Sequence, residues 1–113
     1  MASPAFGIDE SRDRDGVARL RLVGELDLAV ADGLLMRLRA LLDEGTHVRI
    51  DLSRLEFIDS RGMHVLIRAV LLGREAGGNA VEIDREVTAN VRHALQLAGV
   101  ARMLWPDATR AAP

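Results

Sequence analysis

The sequence predicts an α/β fold, a mixed β-sheet of four to five strands with helices packed on it, and three observations carry that expectation. Two short stretches, VARLRLVG and HVRIDL, alternate apolar and polar residues with the period of two that a half-buried strand needs. Two longer stretches, starting at Leu28 and Ser60, repeat their apolar residues at three and four, the spacing of one helix face. Strands and helices then alternate along the chain, the order that lays helices over a sheet through right-handed crossovers.

The first strand is read in AFGIDESR, where Phe6 and Ile8 share a face. Asp13-Arg14-Asp15-Gly16 closes it with turn chemistry, so the first two strands form a hairpin, the second running from Val17 to Gly24. From Leu28 to Asp43 the residues Leu28, Ala31, Leu34, Leu35, Leu38, Leu41 and Leu42 mark an amphipathic helix, with Asp27 to cap it and Gly45 to stop it. His47 to Leu52 is a third, central strand, and Ser53 to Ile58 a connection. Ser60 to Glu75 forms a second helix, whose stripe of Met63, Leu66, Ile67, Val70 and Leu71 implies burial against the sheet. Gly77-Gly78-Asn79 ends it, Ala80 to Ile83 makes a short fourth strand, and Val87 to Leu97 a last helix stopped at Gly99. The chain ends, about five residues at the start and Asp107 to Pro113, are expected to fray.

A chain of 113 residues, 49% hydrophobic, supplies one core, so residues 1–113 are expected to form a single domain with its core within about 6–105. The net charge of -2 gives no field to attract nucleic-acid phosphates or an anionic membrane. Three aromatic side chains, Phe6, Phe57 and Trp105, make no platform for stacked bases. With no cysteine, disulfides and thiolate chemistry are excluded. The start turns polar too early for a secretory signal, and Met63 to Leu72 falls short of the roughly 20 apolar residues a membrane span requires. The expectation is a soluble, cytoplasmic protein without membrane insertion. Single exposed apolar residues such as Leu72 or Trp105 fit a monomer or weak dimer.

Enzyme chemistry makes the strongest demands and meets few of them. Ser60 has Gly62 after it but Ile58 before it, half of a nucleophile elbow. His64 stands one turn beyond Ser60 on the same helix, a poor place for a base that must point at the hydroxyl. His47 is expected at the opposite end of a strand, and His93 on a surface helix. The glycines of GREAGG follow a helix and lack the Lys-Ser/Thr pair of a phosphate loop, and no acids or histidines have metal spacing. No enzyme activity, metal or cofactor is expected.

Two junctions remain, Gly24-Glu25-Leu26-Asp27 and Phe57-Ile58-Asp59-Ser60-Arg61-Gly62, written FIDSRG. With parallel neighbouring strands both fall at carboxyl ends, where α/β folds place binding surfaces, and they would form one patch. Capping explains part of this, because Asp59 and Ser60 are both good N-cap types and Asp27 would cap the first helix. Arg61, His64 and Arg68 could be only the wet side of the second helix. Gly62 fits less well, since a glycine in the first turn costs up to about 1 kcal/mol relative to alanine. A bare spot there lets another backbone or a phosphate donor approach.

These residues resemble the STAS domain family, that of bacterial anti-sigma-factor antagonists, from about Phe6 to Trp105. GELDLAVADGLLMRL is similar to the family's first helix region, VRIDLSRLEFIDSRG to its central strand and phosphorylation loop, and VRHALQLAGVARML to its final helix. The resemblance implies that Ser60 is the phosphoacceptor of the Asp-Ser-x-Gly motif. It implies Glu25, Asp27, Asp59, Arg61, Gly62 and His64 as contacts to a partner. That partner would be an anti-sigma factor with serine kinase activity, bound by the dephosphorylated form so that the sigma factor is freed, and a phosphatase acting on phosphoserine would reverse the modification. Two other readings stay open: a STAS subunit docked on a transporter or stress-signalling complex with Ser60 only as a cap, and a small serine hydrolase.

Overall fold

The computed structural model describes residues 6–106. Its elements are β1 (Gly7–Arg12), β2 (Ala18–Leu26), α1 (Leu28–Asp43), β3 (Val48–Ile58), α2 (Ser60–Ala76), β4 (Val81–Val87), α3 (Ala89–Leu97) and α4 (Ala101–Leu104). The sheet has four strands in the order β1-β2-β3-β4. β1 is antiparallel to β2 across the expected turn, and β2, β3 and β4 are parallel. The mixed α/β fold is the one the sequence predicts.

Both parallel connections step the same way across the sheet, so right-handed crossovers put α1 and α2 on one face, where they touch each other. Between these helices and the sheet lie Leu20, Leu22 and Leu26 of β2, Ile50 and Leu52 of β3, Leu34, Leu38 and Leu41 of α1, and Val65 and Leu66 of α2, all buried. Each such leucine, taken fully from water, contributes about 1.5–3 kcal/mol. α2 approaches the sheet more closely than a side chain permits at two points. A Cβ on Gly62 would lie 2.5 Å from the Leu26 carbonyl oxygen, and one on Gly73 would lie 2.5 Å from the Val81 nitrogen.

The opposite face of β2 and β3 is held by charge. Arg21 and Asp51 are Cα partners. Arg21 Nε donates to Asp51 Oδ2 at 3.1 Å, Arg19 lies 3.7 Å away, and the Ser53 N–H donates to Oδ1 at 2.9 Å. Burial alone would raise the Asp51 pKa. Hydrogen bonds from the Ser53 hydroxyl and N–H, with those from Arg21 and its charge, outweigh that and hold the carboxyl below its ordinary value.

Several boundaries differ from expectation. Ser53 to Ile58 is no connection; it continues β3 and pairs with β2 as far as Leu26 opposite Ile58. Two register shifts in this pairing break the period of two, so the alternation stops being readable after Leu52 although the strand goes on. β4 likewise runs on to Val87, and the acidic Glu82 to Glu86 lies within it, with Asp84 paired to Arg49. α3 starts only at Ala89, after Thr88, whose hydroxyl accepts from the Val91 N–H at 3.4 Å and donates to the Leu55 carbonyl at 2.7 Å. α4 is not foreseen at all. Behind it the Trp105 indole N–H donates to the Ile83 carbonyl at 2.7 Å, so Trp105, like Leu72, is half-buried and not exposed. The expected fraying concerns residues 1–5 and 107–113, outside the described residues.

Candidate functional site

The pairing of Leu26 with Ile58 sets the ends of β2 and β3 side by side. The β2–α1 and β3–α2 junctions therefore open at the same carboxyl-terminal edge of the sheet, and the two sequence segments singled out are neighbours in space.

Asp59 joins them. It is extended (φ -99) and caps α2, its Oδ1 accepting from the Gly62 N–H at 2.8 Å. Its Oδ2 accepts from the N–H of Leu28, the first residue of α1, at 3.0 Å. The Asp59 N–H in turn donates to the Leu26 carbonyl at 3.2 Å. Asp27 caps α1, Oδ1 accepting from the Ala29 N–H at 3.0 Å. One carboxylate thus serves two helix N-termini, the positive ends of two macrodipoles.

Ser60 is the first residue of α2 and is exposed. The cap that the sequence offers to either Asp59 or Ser60 is made by Asp59; the Ser60 hydroxyl has no hydrogen-bond partner among the described residues. The backbone N–H groups of Ser60 and Arg61 are likewise without a partner there, so two donors stand open beside the hydroxyl. No histidine bonds to Ser60, and His64 is exposed one turn along α2. Arg61 is exposed and lies 3.7 Å from Asp32 of α1. Glu25, half-buried, is the register partner of Phe57, both on the face of the sheet away from Leu26 and Ile58.

Gly62 is buried, and the bare spot expected there is filled from within the chain. The backbone that comes close is that of Leu26, with the Ile58 side chain beside it, where an added Cβ would lie 2.9 Å from Ile58 Cγ1. Two apolar side chains at these junctions were assigned elsewhere by the sequence. Leu28 is 66% exposed and Phe57 49%, although Leu28 counts in the periodic stripe of α1 and Phe57 sits in the supposed connection. The signals for both exist. Leu28 directly follows its cap, ahead of the first buried position at Ala31, and Phe57 precedes the buried Ile58 in a strand, hence points the other way. Among the described residues no helix is long and apolar enough to cross a membrane, and no group of three or more His, Asp or Glu is placed to hold a metal ion.

The sequence matches the family described as "Mlab, STAS domain" over residues 10–105. The chain belongs to the STAS domain family. Solved structures share its fold. An anti-sigma factor antagonist from Mycobacterium paratuberculosis superposes with a TM-score of 0.70 at 23% identity, covering 98% of this chain and 97% of the other. The anti-sigma factor antagonist SpoIIAA in its unphosphorylated form gives 0.69 at 19%, covering 96% and 99%, and the Bacillus SpoIIAA in its phosphorylated form gives 0.64 at 21%, covering 88% and 87%. A sulfate transporter family protein from Wolinella succinogenes gives 0.61 at 25%, covering 79% and 71%. No curated protein matches the chain.

Proposed function

We propose that this STAS domain is a cytoplasmic, non-enzymatic anti-sigma-factor antagonist, switched by phosphorylation of Ser60. The observation that carries the reading is a division of labour: Asp59 makes the cap, so the exposed Ser60 hydroxyl has no structural task. In this reading the unmodified protein binds an anti-sigma factor with serine kinase activity through Leu28, Phe57, Arg61, His64 and Glu25, and the sigma factor is released. The two exposed apolar side chains supply the buried centre of such an interface, and the charged ones its rim.

Phosphate on Ser60 adds about -1.5 to -2 charge and three acceptor oxygens. Within the domain that charge is tolerated, because the open N–H groups of Ser60 and Arg61 and the dipole of α2 favour it. Against a docked partner it is bulk and uncompensated charge. Binding is therefore lost while the fold is kept, and a phosphatase acting on phosphoserine restores it.

A second reading, a subunit docked permanently on a transporter complex, is favoured by the likeness to the Wolinella succinogenes protein. One experiment separates them. Ser60→Ala and Ser60→Asp proteins, both shown folded by circular dichroism, serve as baits in host lysate, with bound proteins identified by mass spectrometry. A kinase-type anti-sigma factor held by Ser60→Ala and lost from Ser60→Asp is the expected result. Retention of the same proteins by both baits overturns the switch and leaves the permanent dock.

A further inference from the structure

We propose a second docking surface, at the opposite end of α2 from Ser60, that takes an acidic amphipathic segment of another protein. Between α2 and α4 runs a groove of about 410 Å³ whose apolar wall is Ile67, Val70, Leu71 and Met103, with Arg74 and Arg102 at its rim. Leu71 is 39% and Met103 54% exposed, so the apolar wall is open to water. Leu71 belongs to the stripe that the sequence sends into the core; the core takes Val65, Leu66 and Ala69, and Leu71 is left outside.

The charge around this groove selects the occupant. Arg12, Arg19, Arg21, Arg37, Arg49 and Arg61 are each paired with a carboxylate. Arg14, Arg39, Arg54, Arg68, Arg85 and Arg92 have no such partner among the described residues, nor do Arg74 and Arg102, which differ from them in lining this groove and standing in the last turn of their helices. Two unpaired guanidinium groups and, among the described residues, no carboxylate therefore line the open apolar groove. Each can bind a carboxylate in a fork, while leucine-sized side chains between them enter the groove. An apolar stripe bordered by Asp or Glu meets both demands, the pattern of an amphipathic helix laid in a groove. This surface is separate from the Ser60 switch and does not depend on it.

The test is fluorescence anisotropy on the full chain. The probe is a labelled synthetic helical peptide of about 18 residues built from leucine and glutamate, and its counterpart has lysine for glutamate. The Leu/Glu peptide is expected to bind about tenfold tighter or more, with the preference weakening as salt is raised. Met103→Asp, or Met103→Ser if the first is misfolded by circular dichroism, is expected to lose that binding, and Arg74→Glu with Arg102→Glu to reverse the preference. Ser60→Ala is expected to bind as the unaltered chain does. Equal binding of the two peptides, or binding unchanged in the Met103 variants, overturns the proposal. So does a dimer seen by sedimentation that Met103→Asp dissociates, since the occupant is then a second copy of this chain.

Discussion

At its N-terminal end α2 meets β2 through Gly62, and at its other end it meets β4 through Gly73. In both places an added Cβ would stand 2.5 Å from a backbone atom, the Leu26 oxygen in one case and the Val81 nitrogen in the other. The two ends differ in what surrounds that contact. At Gly62 the helix is also tied down by Asp59, which spans both helix N-termini and leaves a free hydroxyl next to itself. At Gly73 no carboxylate among the described residues takes part, and the neighbouring surface is an apolar groove lined by two arginines. The same backbone approach is made with a polar clamp at one end and without one at the other; the clamp adds side-chain acceptors for the first turns of α1 and α2.

The largest effect expected is from filling either contact. Gly62→Val and Gly73→Val should each destabilise by about 3 kcal/mol or more in urea unfolding, because the clash is with backbone. A smaller loss at one end would show that the helix can lift there. Asp59→Ala should cost about 2 kcal/mol, more than an ordinary cap, since two N–H groups lose their acceptor. Amide exchange in that variant should rise at both Leu28 and Gly62; a rise at Gly62 alone would mean that α1 does not need the clamp.

Asp51 tests whether acid acts at the middle of the sheet, away from both ends. Its folded pKa is depressed, so its contribution is present above the ordinary carboxyl value of 3.8 and is lost as pH falls through the folded value. Asp51→Asn should cost about 1.5 kcal/mol at neutral pH, and the gap from the unaltered chain should close below pH 3.8 in acid titrations of stability. The smallest effect is of opposite sign. Gly33 lies within α1 with nothing near its missing Cβ, so Gly33→Ala should stabilise by about 0.5–1 kcal/mol, measured as a rise in urea midpoint.

The sequence revealed what depends on periodicity and local chemistry. α1 and α2 are read to within a residue, and Asp27 is the cap it was expected to be, because leucine spacing and capping act over a few residues. The second half of β3 was hidden by its register shifts against β2, and α4 by its brevity, four residues held by tertiary contacts rather than by propensity. At the site, the adjacency of the two junctions followed from parallel neighbouring strands. The pair of hydrogen bonds accepted by Asp59 did not, since its second oxygen serves the Leu28 N–H, 31 residues away in the chain. Nor did the exposure of Leu71, which shares the periodicity of core residues and differs only in which way the finished fold turns it; Leu28 beside its cap and Phe57 before a buried strand residue carried signals that the helix stripe and the supposed connection masked.

The indole bond from Trp105 to the Ile83 carbonyl has an optical consequence. The sequence holds one tryptophan and no tyrosine, so its emission comes from one place, the edge of β4. Opening that edge would expose the ring to water and shift the spectrum to the red, while events at Ser60 would leave it unchanged. The protein therefore carries its own fluorophore for separating what happens at the two ends of α2, without any label.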